Sequence, residues 1–143
     1  MEILDELKEP ASLDSISKFI DFISHRAEQL GYSEERIGEM ERAFTEVLTN
    51  IITYAFRDVS GDIKIAYTID RVDRMVFKVI DWGAPFNMLL VSGPLFKDEF
   101  LEQGIPQPST SLIKSLTDTV EYQRLENMNY LIATFSPVVK SRK

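Results

Sequence analysis

The chain has 143 residues, 44% of them hydrophobic, enough for one compact core and too few for a two-domain enzyme. Sixteen Lys plus Arg stand against 23 Asp plus Glu, a net charge of −7, which argues against a surface built for nucleic acid or anionic lipid. No cysteine and a single histidine exclude a disulfide framework and a cysteine nucleophile and argue against a zinc site, leaving carboxylate and amide chemistry.

The acid excess lies in the first third: residues 1–50 carry 12 acids and 5 bases, residues 51–143 carry 11 of each. The N-terminus has neither a basic nor an apolar leader region, and no apolar run approaches ~18 residues, so a soluble cytoplasmic protein is expected. There is no internal repeat, and residues 1–143 read as a single domain.

In chain order, Leu13, Ile16, Phe19, Ile20, Ile23, Ala27 and Leu30 recur at helical spacing, with Ser12 placed as N-cap and Gly31 just past the end. A second helix is predicted from Ser33, its N-cap, to about Phe56, with Glu34 and Glu35 suited to the positive end of the helix dipole and Tyr32 and Ile37 as a hydrophobic staple. Ile63, Ile65, Tyr67 and Ile69 alternate with Lys64, Ala66 and Thr68 as in a half-covered strand. Asp70 to Arg74 forms a polar hairpin connection, and Met75 to Asp81 is the next strand. Residues 82–108 make a long Gly/Pro-containing loop, followed by a short helix from Ser109 to about Leu116. Thr119–Leu125 and Tyr130–Phe135 pair around the turn residues Asn127 and Asn129. Helices followed by strand pairs predict an α+β domain, helices on one face of a mixed or antiparallel sheet, the other face solvated or used by a partner.

Two places carry chemistry. Glu46, Asn50 and Tyr54 are spaced by four on one helix face at the border of the apolar stripe, where an unanswered carboxylate would cost several kcal/mol or shift its pKa. The plainer reading is a flank solvated through Thr45, Thr49 and Thr53, with Arg42 pairing Glu46. The second place is the strand end Asp81-Trp82-Gly83-Ala84-Pro85-Phe86, where Asp81 is in phase with Met75, Phe77 and Val79. Such a carboxylate suits an exocyclic amine, and Gly83 would let a flat ring approach, demands that adenine meets. The plainer reading is a strand closing in an Asp-x-Gly turn. Trp82 beside it could pack on a ligand ring, cover a partner surface or plug the pocket. His25, on a polar phase of the first helix, reads as a solvated residue.

Together, Glu-x-x-x-Asn-x-x-x-Tyr-Ala, then Asp-x-Gly-x-x-Phe, the long loop and the short helix resemble the GHKL ATPase family with its Bergerat nucleotide-binding fold, a two-layer sandwich. More narrowly they resemble the small anti-sigma factor and serine-protein kinase branch, over nearly the whole chain, including the strand-like segment before Pro10. The resemblance implies ATP or ADP with Mg2+ as cofactors, Glu46 as general base, Asn50 as metal ligand, Tyr54 nearby, Asp81 on the adenine amine, and Gly83 and Phe86 lining its pocket. It also implies a sigma factor and a STAS-type antagonist as partners, and a homodimer.

The family's glycine-rich phosphate lid aligns here with Gly104-Ile105-Pro106-Gln107-Pro108-Ser109-Thr110-Ser111, where Pro106 and Pro108 have no N–H to offer an anion. Gly104 opens that stretch, and Ser109, Thr110 and Ser111 at its end could meet phosphate at the helix start, or simply cap the helix. Two functions follow: an ATP-dependent serine/threonine kinase that sequesters a sigma factor, or a non-catalytic module on the same scaffold acting by protein–protein contact. A histidine-kinase catalytic domain is a weaker third, since no phosphoacceptor hairpin precedes residue 1.

Overall fold

The computed structural model describes residues 2–56, 59–90 and 110–141. Among them are strands β1 (Asp5–Pro10), β2 (Asp62–Ile69), β3 (Met75–Asp81), β4 (Thr119–Leu125) and β5 (Met128–Phe135), and helices α1 (Ile16–Gln29), α2 (Glu34–Asn50) and α3 (Ser111–Leu116). The strands form one sheet in the order β1-β2-β3-β5-β4, and every neighbouring pair is antiparallel. The expected α+β layering therefore holds, with a fully antiparallel sheet among the described residues. The segment before Pro10 is a fifth strand at the sheet edge, the one place where a proline's missing donor costs a ladder little.

Local chemistry sets the helix limits. Gly31 takes φ +84°, and the amides of Gly31 and Tyr32 return to the carbonyls of Glu28 and Ala27, a Schellman closure of α1. Ser12 precedes only a 3-10 turn, Leu13–Ser15, and Ser15 stands at the N-cap of α1 itself. Ser33 caps α2 by accepting from the Arg36 amide at 3.1 Å. The helical path reaches Phe56 as expected, but its last turn, Ile51–Ala55, is π-helical, closed by Phe56 N–H donating to Ile51 O at 3.2 Å.

Register decides which residues face the helices. Ile63, Ile65 and Tyr67 stand opposite Asp81, Val79 and Phe77, which in turn oppose Asn129, Leu131 and Ala133. The apolar members of these rows join Phe19, Ile23, Phe44, Val47 and Leu48 in a single buried core, while Asp81 and Asn129 are buried polar residues. Asp70 closes the β2–β3 hairpin by accepting from the amides of Val72 and Arg74 at 3.0 and 2.9 Å. In the β4–β5 hairpin the turn is Glu126-Asn127, both left-handed at φ 47° and 69°, the two-residue type that matches strand twist. The expectation that Asn129 is a turn residue is thus corrected: it lies inside β5 and is buried.

A buried ion cluster ties the chain end to the helices. The Arg36 guanidinium, fully buried, pairs with Glu39 at 2.8 Å and Asp118 at 3.2 Å, and donates to the carbonyls of Ser136 and Leu116 at 2.7 Å each. Glu39 also accepts from the amides of Lys140 and Ser141. Burial alone would raise the Glu39 carboxyl, but the hydrogen bonds from Ser141, Lys140 and Arg36 outweigh it and hold it down from 4.5 to about 2. A depressed folded-state value stabilises the fold above the unfolded pKa, a contribution lost as pH falls through the folded one. We expect about 3 kcal/mol of stability to disappear between pH 4.5 and 2, and Glu39→Gln to flatten that acid limb in urea unfolding followed against pH.

Candidate functional site

The site begins with one row across the sheet: Ile63, Asp81, Asn129 and Arg124 stand in register on β2, β3, β5 and β4. Directly opposed side chains on one face are close enough to bond. Asp81, 1% exposed, accepts at Oδ1 from Asn129 Nδ2 and from the Gly83 amide, each at 2.9 Å. Asn129 Nδ2 also donates to Ala84 O at 2.9 Å, and its Oδ1 accepts from Tyr122 Oη and from the Phe86 amide at 3.3 Å. Arg124 donates to Gly83 O at 2.9 Å. Burial pushes the Asp81 carboxyl above its ordinary value, against the bonds from Asn129 and Gly83 and the charge of Arg124.

The segment after Asp81 docks on the π turn. Ala84 N–H donates to Ala55 O at 3.0 Å, and Tyr54 stacks on Phe86 with centroids 5.2 Å apart and planes 25° apart. Asn50 is buried at the end of α2, its Nδ2 3.9 Å from Met88 Sδ. A π turn carries one residue more than an α turn, which moves Tyr54 off the strict column of Glu46 and Asn50 and toward Phe86; such turns recur at functional sites. The closeness that Gly83 permits is to protein: a Cβ there would lie 2.6 Å from Ala55 O and 3.0 Å from Ala55 C. Gly83→Ala should therefore cost about 1–3 kcal/mol in urea unfolding, since backbone must yield.

Glu46 sits one helical turn before Asn50 and faces α3. Its carboxylate accepts from the amides of Ile113 at 2.9 Å and Leu112 at 3.3 Å. Arg36 holds the Leu116 carbonyl at the other end of α3, so two charges on α2 complement both ends of the short helix.

The profile of the family described as "Histidine kinase-like ATPase domain" matches residues 10–135. The chain belongs to that family. Its curated relatives include the serine-protein kinase RsbW of Bacillus mycoides (strain KBAB4), 25% identical over 135 residues, covering 91% of this chain and 83% of the relative. The serine-protein kinase RsbW of Bacillus cereus (strain ATCC 10987 / NRS 248) is 26% identical over the same shares. Among solved structures, the RsbU and RsbW domains of a Mycobacterium tuberculosis protein superpose with TM-score 0.62 at 15% identity, over 92% of this chain and 32% of that one. This chain thus spans about a third of that molecule, and the likeness shows the fold.

In this histidine kinase-like ATPase domain, Asp81, Gly83, Phe86, Tyr54 and Asn50 meet around the 81–88 segment, while Glu46 meets the start of α3. Thr110 is buried at the N-cap position of α3, which starts at Ser111, two residues later than expected, and its side chain makes no cap bond. Gly104 and Ser109 lie outside the described residues. Trp82 is 42% exposed with the Lys8 ammonium 5.0 Å from its ring centre, on the face opposite Asp81, so it does not plug the site. Asn129, Tyr122 and Arg124 escaped the sequence reading, although the Glu126-Asn127 turn fixes Arg124 opposite Asn129.

Proposed function

We propose that this chain is an ATP-dependent serine/threonine protein kinase that also sequesters a sigma factor, phosphorylates a STAS-type antagonist and acts as a homodimer. The observation that carries it is Asp81, a buried acceptor with both of its described bonds on one oxygen, beside the end of α2 and the π turn that bear Asn50 and Tyr54. Coverage of 91% of the chain by relatives named serine-protein kinase supports the same reading. Asp81 would accept from the 6-amino group of adenine, Phe86 and Tyr54 would line the ring, and Glu46 would take the proton of the attacking hydroxyl. Gly104, Ser109 and Thr110 would lie toward the phosphates.

Among the described residues no group of three or more His, Asp and Glu could hold a metal ion. The hard carboxamide oxygen of Asn50 fits Mg2+ in company with phosphate oxygens and water, as that ion prefers. Mg2+ when bound would neutralise phosphate charge. The protein's own part is to position, as phosphoryl transfer largely requires.

The test is incubation with Mg-ATP and a cognate antagonist, with phosphoserine or phosphothreonine read by mass spectrometry. Stoichiometric modification is the expected result, and none under any condition would rule out the kinase. A second reading, a binding module without turnover, is favoured by Pro106 and Pro108 in the lid and by the engagement of Glu46 with α3. It expects partner binding that is indifferent to ATP.

A further inference from the structure

Asn129 holds the centre of the polar row without needing to touch a ligand. Its amide has one workable orientation. Turned over, Oδ1 would face the Asp81 carboxylate and the Ala84 carbonyl, and Nδ2 would face the Phe86 N–H, leaving acceptors against acceptors and donors against donors. In that orientation the Tyr122 hydroxyl donates to Oδ1 and anchors the side chain from β4.

The consequence falls on Asp81. Two protein donors share Oδ1, and no described hydrogen bond reaches Oδ2. We propose that Asn129 is a positioning residue that commits one oxygen of Asp81 to the protein and the other to the base, and so sets the preference for a 6-amino over a 6-keto purine. The inference rests on the nucleotide reading above. Arg124, whose guanidinium holds Gly83 O, and the Tyr122 hydroxyl are the titratable and charged groups on the strands around Asp81, and Tyr54 lies at the α2 end.

The locked oxygen makes a specific forecast for Asp81→Asn. The new amide must keep its oxygen where Gly83 and Asn129 donate, which aims its NH2 at the base. Preference should then turn from ADP toward inosine diphosphate, the same purine with a 6-keto group. In Asn129→Asp the new carboxyl can donate to Asp81 only while the pair shares a proton. ADP affinity of that variant should fall at least tenfold relative to wild type as pH rises from 6.5 to 8.5.

Calorimetry with Mg-ADP and Mg-IDP on wild type, Asp81→Asn, Asn129→Asp and the milder Tyr122→Phe tests this. Tyr122→Phe keeps the ring and removes one bond that anchors Asn129, and should lower the ADP-over-IDP preference severalfold without changing the melting temperature greatly. A wild type that binds neither nucleotide overturns the nucleotide reading together with this inference. A wild type that prefers ADP, while Tyr122→Phe keeps its full preference and Asn129→Asp its pH profile, overturns this inference alone.

Discussion

Replacing Arg36 by Met should destabilise the domain by about 3–5 kcal/mol, because it strips the buried Glu39 of its cation and leaves the half-buried Asp118 with Lys140 alone. Four partners depend on that guanidinium: the two carboxylates and the carbonyls of Ser136 and Leu116. Its plane also stacks over Phe135, 5.1 Å away, so the substitution loosens the end of β5 as well as the chain end that follows it. The measurement is urea unfolding at pH 7. Arg36→Lys should lose nearly as much, since one ammonium cannot reach four acceptors in the geometry of a planar fork. A loss below about 1 kcal/mol would mean that the cluster is no more than surface pairing in strength.

Replacing Glu46 by Gln should lower phosphotransfer by about 100- to 10,000-fold while leaving the fold close to wild type. The two consequences separate because of where the carboxylate sits. Gln retains an oxygen that can accept from the Ile113 amide, so α3 keeps an anchor, but it cannot take a proton from an attacking hydroxyl. Glu46→Ala removes both functions and should add about 1–3 kcal/mol of destabilisation, the penalty of leaving partly buried amides without an acceptor. Labelled ATP and an antagonist measure the first effect, and urea unfolding the second. Phosphotransfer that survives in Gln but fails in Ala would assign Glu46 to anchoring α3 alone.

What the sequence made legible was local. The spacing of Phe19, Ile23 and Ala27 and the caps Ser33 and Gly31 define two helices whose ends are set by neighbouring backbone groups. The alternation from Ile63 to Tyr67 and the placement of Asp81 in phase with Val79 were equally local and both hold, but β2 is not half-covered: Ala66 and Thr68 on its other face are buried too. The π turn was not legible, because its visible support is tertiary: the Ala55 carbonyl that receives Ala84 N–H lies 29 positions from its partner. Arg36 lies in the first turn of α2, and its acceptors at Leu116, Asp118 and Ser136 are 80 to 100 positions away, beyond the reach of any local pattern. Asn129 was misread because two asparagines fell near a turn. The turn used the first, and the strand register placed the second beneath Asp81.

The same contrast separates the two halves of the site. The Glu46-Asn50-Tyr54 spacing marked the helix that bears these groups, and Asp81 and Gly83 marked the strand end. The pairing of Glu46 with the α3 amides, in contrast to the Arg42 pair that the helix alone suggested, required the long return of the chain from β3 to Ser111.

Adenine recognition by Asp81 is tested most directly by titrating Mg-ADP into the purified protein beside Asp81→Asn. Saturable binding in wild type, weakened at least tenfold in Asp81→Asn at equal folded fraction, is the predicted result. No binding in either protein, or equal binding in both, would contradict it.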